Sequence, residues 1–412
     1  MTKLNVVCPT CSHEMPVPLG AMGKRGRCTV CGTVFEVTQE NSTRFEDAAA
    51  PARTPTGETT VPSRNKLAAQ TAAATAPKRV ASAVGRIASM DHLRGYAIFG
   101  MILVDALGNF DIFPGFLHHH RDAYSYADTI APLFVFVVGM GFRLSMARRV
   151  EKEGIWPARW GAFKRYLTLF IVAVVFYGPD YKKDWWDALT DIALAGMITL
   201  PLINLGTVVR AVAAWFYLGL YMFIFLATPY GTWLFHESMN GGPLGMLCSG
   251  FALLMGTVAY DLLDSGEQQK IVRWSLAAGL GMVALSYVVW KLLPDPLEPY
   301  TTAHGAYWAF AARWKAAPVE LLSVGLAWIA FLAFYMVCDV YEKEVPMLPI
   351  LGENPLVIYL IQYSLFEMNS GYIEETKTSA DYLYGILLFA GVLGFCYAAA
   401  LRLHKQGYII KL

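Results

Sequence analysis

Three consecutive histidines, His118, His119 and His120, stand in a short polar loop between two apolar segments of membrane length. Those two segments carry carboxylates at Asp105 and Asp128. An imidazole titrates near neutral pH, so it can take a proton from an attacking group or carry an acyl group itself. Ionisable groups are costly in lipid, and where they are built into apolar segments they mark a functional site. Three adjacent histidines make a poor metal site, because neighbouring side chains diverge. At the head of the first segment Asp91 and Arg94 stand one helical turn apart. They are spaced to pair with each other, or the guanidinium can meet a phosphate. Asp128 opens the second segment, where it can orient a loop histidine or cap the helix.

A second set of residues has a different chemistry. Cys8-Pro-Thr-Cys11 and Cys28-Thr-Val-Cys31 are two C-x-x-C knuckles separated by sixteen residues. That spacing lets four thiolates close tetrahedrally around one structural zinc, with no open position for catalysis. We therefore expect a small β zinc ribbon over residues 1–39, acting as a docking module for a protein partner. Cys248, Cys338 and Cys396 sit singly in apolar segments and read as small buried hydrophobes.

The elements that must position these groups follow from composition. Of the 412 residues, 56% are hydrophobic and only 16% charged, where soluble domains carry about 25% charged residues. This is the balance of a polytopic membrane protein. The net charge of +1 argues against nucleic-acid binding. Residues 40–85, rich in Ala, Thr, Pro and Ser, hold too little apolar side chain to order and read as a disordered linker.

Residues 86–412 read as an all-α bundle of about ten spans, each needing about 20 residues to cross about 30 Å of hydrocarbon. The predicted spans are 92–112, 128–148, 160–178, 188–205, 208–228, 243–262, 275–293, 317–339, 347–366 and 380–401. Arg143, Arg148, Arg149 and Lys152 follow the second span, and Arg402 and Lys405 close the last. By the positive-inside rule both ends of the chain face the cytoplasm, as in a bacterial-type inner membrane, and the histidine loop faces the other side.

Four stretches together resemble the heparan-alpha-glucosaminide N-acetyltransferase family and its bacterial relatives. Ser89-Met-Asp91-His-Leu-Arg94-Gly95 through Met101-Ile-Leu-Val-Asp105 is similar to that family's S-x-D-x-x-R-G … M-x-x-V-N opening. Asp128-Thr-Ile-Ala-Pro132-Leu-Phe134-Val-Phe136-Val-Val-Gly139 fits D-x-x-x-P-x-F-x-F-x-x-G. Residues 314–340 and 351–362 resemble two later spans, the second with Asn354 and Gln362. The family's loop histidine stands about ten residues ahead of the second motif. Counting back without gaps lands on His118, with His119 or His120 the equivalent if the loop has slipped. Two departures stand out: Asp105 replaces an asparagine, and Gln362 stands where the family tends to have histidine.

The resemblance implies a membrane acyltransferase. Acetyl-CoA would bind from the cytoplasm, and its acetyl group would pass to a sugar or glycan on the far side. His118 would then be base or acyl carrier, tuned by Asp105 and Asp128, with Asn354 supporting the transition state. Asp91, Arg94 and Gln362 would bind substrate, and Asp187, Asp191 and Glu320 would line the acceptor cleft or stay solvated. A homodimer is compatible with the family. Two other classes fit the composition: a transporter or flippase, which predicts a polar path without acyl-CoA turnover, and an inactive docking or sensor protein, kept open by the two departures.

Overall fold

In the computed structural model the described residues are 3–7, 14–18, 25–27, 34–37, 42–44, 87–120, 124–178, 180–182, 185–238, 240–292, 310, 312–379 and 381–409. The chain divides into two compact units, Met1–Thr75 and Ala76–Leu412.

The first unit contains short strands: β1 (Lys3–Val7), β2 (Glu14–Pro18), β3 (Arg25–Arg27), β4 (Val34–Glu36) and β5 (Ser42–Arg44). β1 pairs antiparallel with β2 and β5, and β3 pairs antiparallel with β4. Val6 and Val37 are buried against Phe35. Cys8, Cys11, Cys28 and Cys31 lie outside the described residues. The zinc site expected on these four cysteines therefore also lies outside the described residues. Ser42–Arg44 add a strand to β1, so the β unit continues past residue 39, where the linker was expected to begin.

The second unit is helical: α1 (Ala88–Leu107), α2 (Ala127–Glu153), α3 (Ile155–Tyr177), α4 (Ala188–Thr199), α5 (Thr207–Ala227), α6 (Tyr230–Glu237), α7 (Gly245–Asp264) and α8 (Gln268–Leu292). It continues with α9 (Ala317–Phe334), a π turn at Tyr335–Val340, α10 (Met347–Glu353), α11 (Pro355–Met368), α12 (Ser370–Thr376) and α13 (Tyr382–Lys405). The most apolar stretches of α2, α7 and α9 are more than half buried, whereas those of α3, α5, α8 and α13 are buried by a third or less. The outer helices expose Val175, Val208, Phe223 and Leu292. Water would penalise such a surface; hydrocarbon tolerates it. The apolar helices fit a multi-pass membrane protein.

Among the described residues, seven helices are long and apolar enough to cross a membrane, so three of the ten predicted spans differ. α1 has the length but carries Asp91, Arg94 and Asp105 within its 20 residues. α4 runs for only 12 residues. The segment predicted as one span at 347–366 is broken at Asn354, whose backbone (φ −124°, ψ 58°) leaves the helical region just before Pro355. Proline crowds the residue before it out of the helical conformation.

Glycine sets how closely α2 and α7 approach. A Cβ on Gly139 would lie 2.0 Å from the Leu253 carbonyl oxygen, and one on Gly256 would lie 1.9 Å from that of Phe136. Both obstacles are backbone, so no rotamer relieves them, and this is the small-residue contact that lets membrane helices pack closely. Gly256→Ala is expected to destabilise the fold by about 1–3 kcal/mol, the usual range for overpacking. Gly219→Ala meets nothing within 4 Å and is the control in a thermal melt in detergent.

Candidate functional site

The backbone at His118 is extended (φ −88°, ψ 145°), and successive side chains of an extended chain point to opposite sides. His118 and His120 turn back onto their own loop. The His118 Nε2 donates to the Phe113 carbonyl at 3.0 Å, that of His120 donates to the Gly115 carbonyl at 2.7 Å, and the two rings stack. His119 points the other way and meets Asp128, with Nδ1 to Oδ1 at 2.8 Å.

Asp128 is held from its other side. Its Oδ2 accepts from the Ser125 backbone N–H at 2.9 Å and the Ser125 hydroxyl at 3.1 Å; that hydroxyl also lies 2.7 Å from the His118 carbonyl. The carboxylate thus ties the first turn of α2 and orients the imidazole together. With Nδ1 donating to Asp128, Nε2 is the nitrogen left for the cavity. Burial works against the imidazolium of His119. The bond to Asp128, with the charges of Asp128, Asp105 and Asp187, outweighs that penalty and holds the pKa above the ordinary imidazole value. The side chain is still 60% exposed, consistent with a ring edge that opens onto cavity space.

His119, His120 and Asp128 line a cavity of about 720 Å³ that also takes in Asp105, Asp187, Asp191, Lys315, Glu320 and Tyr359. Asp105, near the end of α1, accepts from Gln362 Nε2 of α11 at 2.6 Å. Asp187 caps α4 by accepting from the Ala188 N–H at 2.7 Å. Burial pushes its carboxyl up to about 6, against the Ala188 bond and the charges of Lys315 and His119.

A second polar pole lies in the same cavity. The Lys315 ammonium is ion-paired with Asp191 and donates to the Ser249 hydroxyl at 2.8 Å; Asp191, Ser249 and Glu320 are all buried. Burial disfavours the ammonium, but the Asp191 and Glu320 charges prevail and hold its pKa above the ordinary lysine value. The loop carrying it is tied at three consecutive carbonyls. Gly241 N–H donates to Arg313, Tyr221 hydroxyl to Trp314 and Cys248 thiol to Lys315. Lys315 itself sits at φ 49°, a conformation rare outside glycine.

The structure therefore brings Asp105 and Asp128 into the cavity with His119, which stands in the place predicted for His118, while Gln362 bonds Asp105 and is not among the lining residues. The one-residue difference comes from the alternation of the extended chain. The remaining predicted site residues lie elsewhere. Asp91 and Arg94 pair at 3.5 Å near the start of α1, where Arg94 also lies 3.5 Å from the Gly352 carbonyl. Asn354 donates to the Tyr408 carbonyl at 3.1 Å, tying the break between α10 and α11 to the chain after α13, and it does not line the cavity. Asp187, Asp191 and Glu320 line the cavity, as one of their two sequence readings had it. Lys315 escaped sequence reasoning; its partner Asp191 lies 124 residues away in the chain. Among the described residues no group of three or more His, Cys, Asp or Glu side chains is placed to hold a metal ion.

Two comparisons bear on this arrangement. A curated protein from Bacillus acidopullulyticus, the uncharacterized 39.9 kDa protein in the amylase 3′ region, is 34% identical over 125 residues. The match covers 28% of this chain and 34% of the relative, so it spans about a third of that protein's length. Residues 86–242, which hold Asp105, His119, Asp128, Asp187 and Asp191, match the family model described as the catalytic region of heparan-alpha-glucosaminide N-acetyltransferase.

Proposed function

We propose that this protein is a membrane acyltransferase that moves an acetyl group from acetyl-CoA to a sugar or glycan acceptor, with His119 at the reacting centre. The observation that carries the reading is the His119–Asp128 pair, set in a cavity lined by several carboxylates among apolar helices and inside the segment that matches an acetyltransferase catalytic model. A base oriented by a buried carboxylate is what acyl transfer to a hydroxyl or amine requires. Nε2 takes the acceptor proton as the acceptor atom attacks the thioester carbonyl carbon. The carbon–sulfur bond then breaks, and the proton passes from Nε2 to the departing thiolate. If Nε2 itself attacks first, the carbon–sulfur bond breaks to release the thiolate and leave an acetyl-imidazolium; the acceptor then attacks the acetyl carbon, Nε2 leaves as neutral imidazole, and the acceptor's proton passes to the thiolate. Asp128 fixes the ring for either route.

The cavity opens among the C-terminal end of α1 and the N-terminal ends of α2, α4 and α9. The basic turn between α2 and α3 lies at the other end of those helices, which by the positive-inside rule turns the cavity away from the cytoplasm. Arg94, near the start of α1, is the residue we propose for a CoA phosphate entering from the cytoplasmic side of a bacterial-type inner membrane. For the β unit we propose one structural zinc on Cys8, Cys11, Cys28 and Cys31, tested by the metal content of the wild type beside Cys8→Ser, and a protein partner for the ribbon.

Turnover of labelled acetyl-CoA by the purified protein in detergent, across a panel of sugars and glycans, tests the activity. Absence of both acetyl-CoA binding and transfer would sink the reading. The pH profile tests the pair. The base acts only when neutral, so the rate falls as pH drops through the imidazole pKa, which Asp128 holds above the ordinary value. Asp128→Asn removes a negative charge beside the ring, so the acid limb of kcat/KM is expected to move to lower pH while the rate at its plateau also falls. An unmoved acid limb would show that another group sets it.

A further inference from the structure

Away from the cavity, one stretch of the helical surface gathers positive charge without neutralising it. Of the nine charged residues over 143–165 seven are basic, and only Glu151 and Glu153 oppose them. Arg143 is engaged by Asp261 and Arg159 by the Pro201 carbonyl. Among the described residues, Arg149, Lys164 and Arg165 take part in no ion pair.

Gly161 draws these three together. A Cβ there would lie 3.0 Å from the Arg149 Nη1, so the guanidinium from the end of α2 rests on the bare backbone of α3. Lys164 and Arg165 stand three and four residues further along α3. Helical side chains reach back over the turn before their own Cα, which here is the level of Gly161. The Lys164 Nζ keeps to that direction, at 6.0 Å from the centre of the Trp160 ring. Three like charges in one place repel one another, so the cluster favours an anion.

A second observation says which kind. Trp156, Trp160, Lys164, Leu167, Ile171 and Val175 follow at three- and four-residue steps along one face of α3, and all six are exposed. Trp156 and Trp160 are 74% and 60% exposed, and such rings favour the headgroup level of a bilayer. Leu167, Ile171 and Val175 continue the face as bare hydrocarbon. Lys164 lies between the two, about 13 Å from the start of α3 at about 1.5 Å per residue. A cation turned toward lipid without a protein partner is costly, and its long stem lets it reach back to the interface. Basic pockets between membrane helices are suited to anionic headgroups.

We propose that Arg149, Lys164 and Arg165 form a binding site for one anionic phospholipid. Its phosphate is held between the end of α2 and the first turns of α3, and an acyl chain lies along Leu167, Ile171 and Val175. Binding there involves no acetyl transfer, so the site stands or falls apart from the acyltransferase reading.

The probes are phosphatidylglycerol and phosphatidylcholine with the same acyl chains, which differ in the choline cation. Each is titrated into the full-length protein in nonionic detergent. Bound lipid is counted by native mass spectrometry, with a melting temperature for every variant. A cation near a membrane surface contributes about fivefold to the binding of an anionic lipid, so the wild type is expected to prefer phosphatidylglycerol by about a hundredfold. Arg149→Gln/Lys164→Gln/Arg165→Gln should bind the two lipids alike. Lys164→Gln alone, at an exposed position whose loss leaves the packing intact, should lower the preference by about fivefold. Arg148→Gln/Lys152→Gln removes two exposed cations of the same turn that do not meet Gly161, and should change it by about twofold or less, since exposed charges are screened. Equal binding of both lipids by the wild type, or a preference that survives the triple variant, would overturn the site. So would an equal loss in the Arg148/Lys152 variant, which would show diffuse surface charge. Displacement of the lipid by inorganic phosphate at equal concentration would overturn it too, because a free anion would then suffice without the acyl chain.

Discussion

His119→Ala is expected to lower acetyl transfer by about a hundredfold to ten-thousandfold, the range that a positioned acid–base group supplies. His118→Ala is expected to retain most of the rate. The two imidazoles are neighbours, but their bonds differ in kind. His118 donates to a carbonyl of its own loop, whereas His119 is held by a carboxylate whose other oxygen is fixed by Ser125. The loss at His119 should fall on kcat, because the proton moves in the transition state and not on binding. The variant should also fold. The side chain it removes is 60% exposed, and Asp128 keeps both bonds from Ser125, so no buried carboxylate is stranded. Steady-state kinetics of both variants, with a melting temperature for each, separate the cases. A His119→Ala protein that melts like the wild type and turns over at the wild-type rate would remove this residue from the mechanism.

The reason His119 was not singled out from sequence is local and instructive. A motif count places a loop histidine to within a residue, yet in extended backbone one residue reverses the direction of the side chain. His119 and His120 both line the cavity, and the contacts of Phe113, Gly115 and Asp128 show that His119 is the one held by a carboxylate. The membrane character, the loop and the carboxylates at 105 and 128 were legible because charge inside an apolar run stands out against its surroundings. Asn354 looked like a site residue because a polar group in an apolar run gives the same signal, and here it marks a helix break before Pro355 instead. Gln362 is a case between these two. Its amide is bonded to Asp105, so the two positions that depart from the family pattern are partners in space. Across this contact the amide donates and the carboxylate accepts. That pairing lies 257 residues apart in the chain, beyond the reach of periodicity or spacing.

Lys315→Met is expected to destabilise the helical unit by about 3–5 kcal/mol, the penalty for removing one partner of a buried ion pair. The side chains of Lys315 and Asp191 are 15% and 6% exposed, so water screens the pair little. The substitution keeps much of the side chain's length and apolar stem. What it removes is the ammonium, and with it the positive charge that Asp191 and Glu320 share. Two buried carboxylates would then face each other without a cation, and one must take up a proton. Lys315→Met/Asp191→Leu removes both charges of the pair and should recover a large part of the loss, since a buried ion pair replaced by apolar groups is often neutral in stability. The recovered protein separates structure from function. If the pair serves stability alone, the double variant folds and transfers acetyl groups normally. If Asp191, which lines the cavity, also meets the acceptor, the double variant melts near the wild type but shows a raised KM for the acceptor and an unchanged KM for acetyl-CoA. Thermal melts and two-substrate kinetics on the single and double variants decide between these outcomes, and a Lys315→Met protein as stable as the wild type would show that the ion pair contributes little to the fold.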